Sequence, residues 1–193
     1  MAGRPRQFDK QQALAQAMRV FWEHGYEGTS MSALVEALGL ASARIYAAFG
    51  SKQQLFEEAV ALYESGEGGF AERALAQADI GAAIGQLLRD AVATYTRADH
   101  PRGCLVVSAA NGVAAENIGV LNWLAGHRQQ RTRSIIERLQ VAQAQGQLPA
   151  TADVQALGDF YATFLHGLSV QARDGVPAAA LLQAVAQALK LLQ

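Results

Sequence analysis

The chain reads as an all-α protein with a small helix-turn-helix unit in front of a larger helical body, about nine helices in all. Three observations predict this. Apolar residues recur with helical period along almost the whole length, and no stretch alternates as a strand would. Alanine, leucine and glutamine are abundant among 193 residues of which 51% are hydrophobic, a composition that favours helix and suffices for a real core. Short breaks built from Gly, Pro, Asp and Ser separate the periodic segments.

"AGRPRQ" at the front is basic and broken by Pro5, and reads as a flexible arm. Asp9 is placed to cap the first helix, with Gln12 as the fourth member of a D-x-x-Q box. Leu14, Ala17, Met18 and Phe21 form its apolar stripe, and Gly25 ends it. Thr29 or Ser30 caps a second helix that buries Met31, Leu34, Val35 and Leu38. Gly39 permits a tight turn into a short third helix over about residues 41 to 48. Ser51 caps a fourth, with Leu55, Phe56, Ala59, Leu62 and Tyr63 as its stripe. Beyond "ESGEGG" the periodicity predicts helices over about 79–98, from near Gly103 to about Ala115, and over 117–145, 153–173 and 177–192.

The third helix is thin on its apolar side. Ile45 and Phe49 anchor it, while Ser42, Arg44 and Tyr46 face outward with Ala43 and Ala47 allowing close approach. Two short helices across a glycine turn, following a longer helix, are the layout that places a second helix in the major groove of DNA. An arginine can take a guanine edge with two hydrogen bonds; serine and tyrosine suit a phosphate or a single base atom. Lys52 at the start of the fourth helix meets a phosphate by charge and through the helix N-terminus, and Thr29 can do likewise from the second. Arg4 and Arg6 on the arm are candidates for the adjacent minor groove or for phosphates. Charge agrees: residues 1–52 hold six Lys/Arg against four Asp/Glu, and the remainder ten against thirteen.

Residues 8–56, through "FWEHGYEGTSMSALVEALGLASARIYAAFGSKQQLF", resemble the DNA-binding domain of the tetracycline-repressor-like (TetR) family of bacterial transcription regulators. The resemblance implies a dimer that binds a palindromic operator in double-stranded DNA, most simply as a repressor released by a small-molecule effector. It divides the chain into a DNA-binding domain over 1–52 and an effector-binding and dimerisation domain over 53–193. Ser42, Ala43 and Arg44 then match the base-reading start of the recognition helix, and Tyr46 and Lys52 the usual phosphate contacts. Ala41 stands where the family often has a capping serine, and Ala48 where a histidine or tyrosine often touches the DNA backbone. "RGCLVVSAANG" and "HGLSVQARDGV" resemble segments of one branch of the same family.

The body is less specific. Tyr63, Tyr95, Cys104, Trp123, Tyr161, Phe164 and His166 are candidates to line an effector pocket. Phe160, Leu168, Leu182, Val185 and Leu189 are candidates for a four-helix interface between two chains. Cys104, the one cysteine, follows Pro101 and Gly103 near a predicted helix start with His100 and Arg102 close in sequence, an arrangement suited to a thiol-reactive effector. The run "HRQQRTR", 127–133, reads as a solvated helix face. No metal cluster and no cofactor motif are found, no apolar run is long enough to span a membrane, and the first ten residues lack the core of a signal peptide, so the expectation is a cytoplasmic protein that is not an enzyme. A helical enzyme using Cys104 with a histidine, or an interaction module without DNA binding, remain as alternatives.

Overall fold

Asp9 opens the first helix of the computed structural model, which describes residues 9–192. Its carboxylate accepts from the backbone N–H of Gln11 and Gln12, satisfying two of the free amides that every helix start leaves. Helix α1 (Lys10–Gly28) buries Ala13, Ala17, Met18, Phe21 and Trp22 along one side. Gly25, at φ 74°, breaks it as expected, but one further turn is added before Thr29. Ser30, and not Thr29, caps α2 (Met31–Leu38) by accepting from Ala33. Gly39 takes the left-handed conformation (φ 62°) that a β-carbon disfavours, and α3 (Ser42–Phe49) leaves it at 92° to α2. Ala41 offers α3 no side-chain cap.

Helix α4 (Lys52–Ser65), capped by Ser51, belongs to both ends of the molecule. Leu55 and Phe56 complete the front cluster, where the Phe56 ring meets Phe21 and Tyr26 at 5.0 and 5.1 Å. Its last turn carries Tyr63 into the body, where Trp22 packs on that ring edge-on at 4.7 Å. The body is built from α5 (Phe70–Leu75), α6 (Ile80–Tyr95), α7 (Leu105–Ser108), α8 (Ile118–Ala144), α9 (Val154–Arg173) and α10 (Ala178–Ala188), with short 3-10 turns at Ala115–Asn117 and Leu189–Leu192. Helix α6 is buried along Ile84, Leu87, Leu88, Ala91 and Val92, and packs against α9, α10 and α5.

Two expectations change. Helix α5 lies between the "ESGEGG" break and the helix expected from about residue 79, a stretch for which the periodicity predicts no element. The helix expected from Gly103 to Ala115 stops at Ser108, because the chain turns there and Gly112 adopts φ 68°. No strand occurs among the described residues, and no single helix among them is long and apolar enough to cross a membrane.

Candidate nucleic-acid interface and inner chamber

Helix α3 is held by two side chains. Ile45 (2% exposed) and Phe49 (4%) sit in the front core, and the intervening positions turn outward. Ser42, Ala43, Arg44, Tyr46 and Ala47 are all exposed, Tyr46 at 45%, so one face presents a hydroxyl, a guanidinium and a phenol flanked by small residues. Lys52 stands beside them on the first turn of α4, its ammonium 4.4 Å over the ring of Tyr26. Partial burial lowers its pKa, and the carboxylate of Glu27 acts in the opposite sense. Behind α3, Lys10 lies 4.9 Å over the Phe49 ring and 3.0 Å from Glu58, tying α1 to α4.

Thr29 is a correction. It is fully buried, and its hydroxyl donates to the carbonyl of Gly25 at 2.7 Å, so its side chain closes the kink of α1 and is not offered outward to a phosphate. The arm residues Arg4 and Arg6 lie outside the described residues.

The front unit is fixed to the body through side chains that helical periodicity does not flag. Trp22 Nε1 donates to Gly103 O at 3.0 Å and its ring stacks on His100. Arg173 of α9 donates to the carbonyls of Trp22 and Glu23. Glu27 accepts from the Ala114 backbone and from Asn117, which lowers its pKa. The signal for these contacts is a set of polar residues within or next to an apolar stripe, too weak to assign partners.

In the body, Tyr63, Tyr95, Cys104 and His166 line one small chamber of about 30 Å³, together with Arg128 and Arg131. Cys104 is placed by its own N–H, which donates to Ser169 Oγ at 2.8 Å, and by Gly103 (φ 81°), where a β-carbon would lie 2.9 Å from Ser169 O. The Tyr63 hydroxyl borders the thiol without a hydrogen bond of good geometry. Desolvation first, and then the neighbouring thiol, raises the pKa of both Tyr63 and Tyr95. His166 is held below its ordinary value by burial and then by Arg128 and Arg131.

The cations near Cys104 are therefore not its sequence neighbours. His100 stacks on Trp22 with Nε2 3.0 Å from Glu67, and Arg102 donates to Ala172 O. They come instead from the run that reads as a solvated face: Arg128 and Arg131 line the chamber, with the His127 ring beside them, and Arg128 donates to Val106 O at 3.1 Å. Three of the candidate pocket residues lie elsewhere. Trp123 packs between Phe56 and His127, the Tyr161 hydroxyl donates to Ala188 O, and Phe164 lines a groove between α9 and α10. Among the candidate interface residues, Phe160 and Leu182 are exposed. Leu168 (3%) and Val185 (2%) are buried against the chain's own core, with Leu168 also lining the groove between α9 and α10, and Leu189 packs partly against that core. No group of three or more metal-ligating side chains occurs among the described residues.

The model of the family described as bacterial regulatory proteins, tetR family, matches residues 13–59. The HTH-type transcriptional repressor ComR of Escherichia coli (strain K12) is 31% identical over 194 residues, covering 98% of this chain and 91% of that protein. The HTH-type transcriptional repressor BdcR of the same organism is 29% identical over 90% of this chain and 83% of its own length. A solved structure of the TetR family regulator CifR, a cysteine mutant in complex with 26-bp double-strand operator DNA, superimposes with a TM-score of 0.92 at 44% identity, covering 97% of this chain and 98% of that one.

Proposed function

The chain belongs to the tetR family of bacterial regulatory proteins, and on that premise we propose that it is a cytoplasmic transcriptional repressor that binds a palindromic operator as a dimer and lets go when an effector occupies the body. Residues 1–52 supply the DNA contact, and residues 53–193 the effector site and the pairing of chains. The observation that carries this reading is the exposed face of α3, fixed from beneath by Ile45 and Phe49 and set at 92° to α2. A structural relative at 44% identity that is bound to operator DNA supports it.

In this reading Ser42, Ala43, Arg44 and Ala47 meet base edges, while Tyr46 and Lys52 hold phosphates. The dimer forms on the outward side of α9 and α10. There Phe160, Val170 and Leu182 are exposed, beside an apolar groove of about 440 Å³ lined by Phe164, Gly167, Ala180 and Ala184. The effector enters the chamber at Cys104, whose thiol suits a reactive molecule. Occupation shifts the chain toward an arrangement in which two α3 helices no longer match their half-sites, by as much as the effector prefers that arrangement.

The test is selection of duplexes from a randomised pool, followed by fluorescence anisotropy at two salt concentrations. The expected result is a two-fold symmetric site and a log–log salt slope steeper than about −4, since several phosphates are neutralised per dimer. Binding without sequence preference, or without salt dependence, would falsify the reading.

A further inference from the structure

Two spaces in the body share a wall. The inner one is the chamber at Cys104, about 30 Å³, with room for one water-sized group. The outer one is an open groove of about 620 Å³ between α4, α5 and α8, the size of a small-ligand site. Glu64, His127 and Arg131 line both. Across this wall Glu64 Oε2 lies 2.8 Å from His127 Nδ1, a hydrogen bond that joins the last turn of α4 to α8. Trp123 backs the imidazole at 4.2 Å.

The charge behind the wall is one-sided. Arg128 and Arg131 face the chamber, and their field reaches far enough to help hold His166 neutral. Glu64 is the one carboxylate among the chamber's lining residues, and it is already bonded to His127. The buried Tyr63 hydroxyl faces the same space with its donor unsatisfied. The groove outside is mixed in charge, with Glu72 and Glu137 beside Arg138, so the selection lies at the chamber, where a molecule meets two guanidinium groups and the Tyr63 phenol, a setting that rewards a negatively charged oxygen and penalises a cation.

We propose that the groove between α4, α5 and α8 is the entrance to the Cys104 chamber, that the Glu64–His127 hydrogen bond bolts it, and that the chamber, widened when this bond opens, admits small organic anions. The proposal rests on the chamber being the effector site and adds its doorway and its selectivity. It also gives entry a mechanical consequence. Opening the bolt frees the last turn of α4, whose first turn carries Lys52, so one 14-residue helix joins the doorway to the DNA-facing end.

The experiment is alkylation of Cys104 in the full-length chain, followed by intact mass, with iodoacetate and iodoacetamide as a matched anionic and neutral pair. In each reaction the thiolate sulfur forms a bond to carbon as the carbon–iodine bond breaks, iodide leaves, and the thiol proton goes to water. With one cysteine in the chain, every adduct reports this position. Glu64→Ala is expected to raise both rates about fivefold, because labelling follows the population with the bolt open. Ser134→Trp, placed in the outer groove away from the chamber, is expected to lower both; a merely loosened fold would move the rate the other way. Arg131→Gln is expected to lower the iodoacetate-to-iodoacetamide ratio about threefold relative to the same ratio in urea. Rates unmoved by Glu64→Ala and by Ser134→Trp would overturn the entrance, and an unmoved ratio in Arg131→Gln would overturn the preference for anions. DNA plays no part in these readouts, so a chain that failed to bind duplex would sink the repressor reading and leave this one standing.

Discussion

Arg44 and Arg131 are the same side chain used in opposite ways. Arg44 stands on an eight-residue helix pinned by two apolar side chains, on a face exposed from Ser42 to Ala47 apart from Ile45. Arg131 stands in the middle of a 27-residue helix and turns into the body, lining the small chamber that the Cys104 thiol borders. The front region keeps its polar groups outside so that a large polyanion can meet them. The body takes its polar groups inside, where desolvation strengthens their effect on anything small enough to enter. The difference teaches that a cationic side chain carries no function by itself; the packing beneath it decides which partner it can meet.

The contrast breaks first at the pins. Phe49→Ala is expected to cost about 3–5 kcal/mol, since a fully enclosed ring is lost from a helix with one other anchor. Urea unfolding measures it, and a cost under 1 kcal/mol would mean that α3 does not depend on that anchor. Next comes the outward face. Arg44→Ala is expected to reduce discrimination at one base pair of each half-site by about 1–3 kcal/mol while binding to unrelated duplex changes little. An equal loss on all sequences would give Arg44 a phosphate instead of a base.

The smallest effect is at the joint between the two regions. The bonds from Ala114 and Asn117 hold the Glu27 pKa below its ordinary value. Its contribution to stability is therefore present above the unfolded-state pKa and is lost as the pH falls through the lower, folded one. Glu27→Gln should remove that part of the acid sensitivity while changing the midpoint at pH 7 only slightly. An unchanged pH profile of thermal unfolding would show that Glu27 is not tied to the body in solution.

The front was legible because its information is local. Asp9, Ser30 and Ser51 cap helices within three residues of themselves, Gly39 marks a turn that needs its backbone freedom, and Ile45 and Phe49 are spaced to face one way. Thr29 was the exception, since its position suits a cap or a phosphate contact and only packing showed its hydroxyl turned to Gly25. In the body, residue type nominates Tyr63, Tyr95, Cys104 and His166 for a pocket, and the fold gathers those four. Trp123, Tyr161 and Phe164 are nominated by the same signal and lie elsewhere, because aromatic character does not say which cavity a ring borders.

The same boundary runs through the whole molecule. The amino-acid sequence by itself determined the helical class, the breaks, the caps and the outward face of α3, since each follows from spacing along a few turns of one helix. The tertiary structure decided that the stretch of α8 between Leu124 and Ile135, which buries no residue completely, becomes the wall of a chamber. It also decided that Val185 serves this chain's own core, and that Trp22 and Glu27 hold the two regions together. Periodicity tells a helix which side to bury; only the partners, 63 residues away for Glu64 with His127 and 151 for Trp22 with Arg173, say against what.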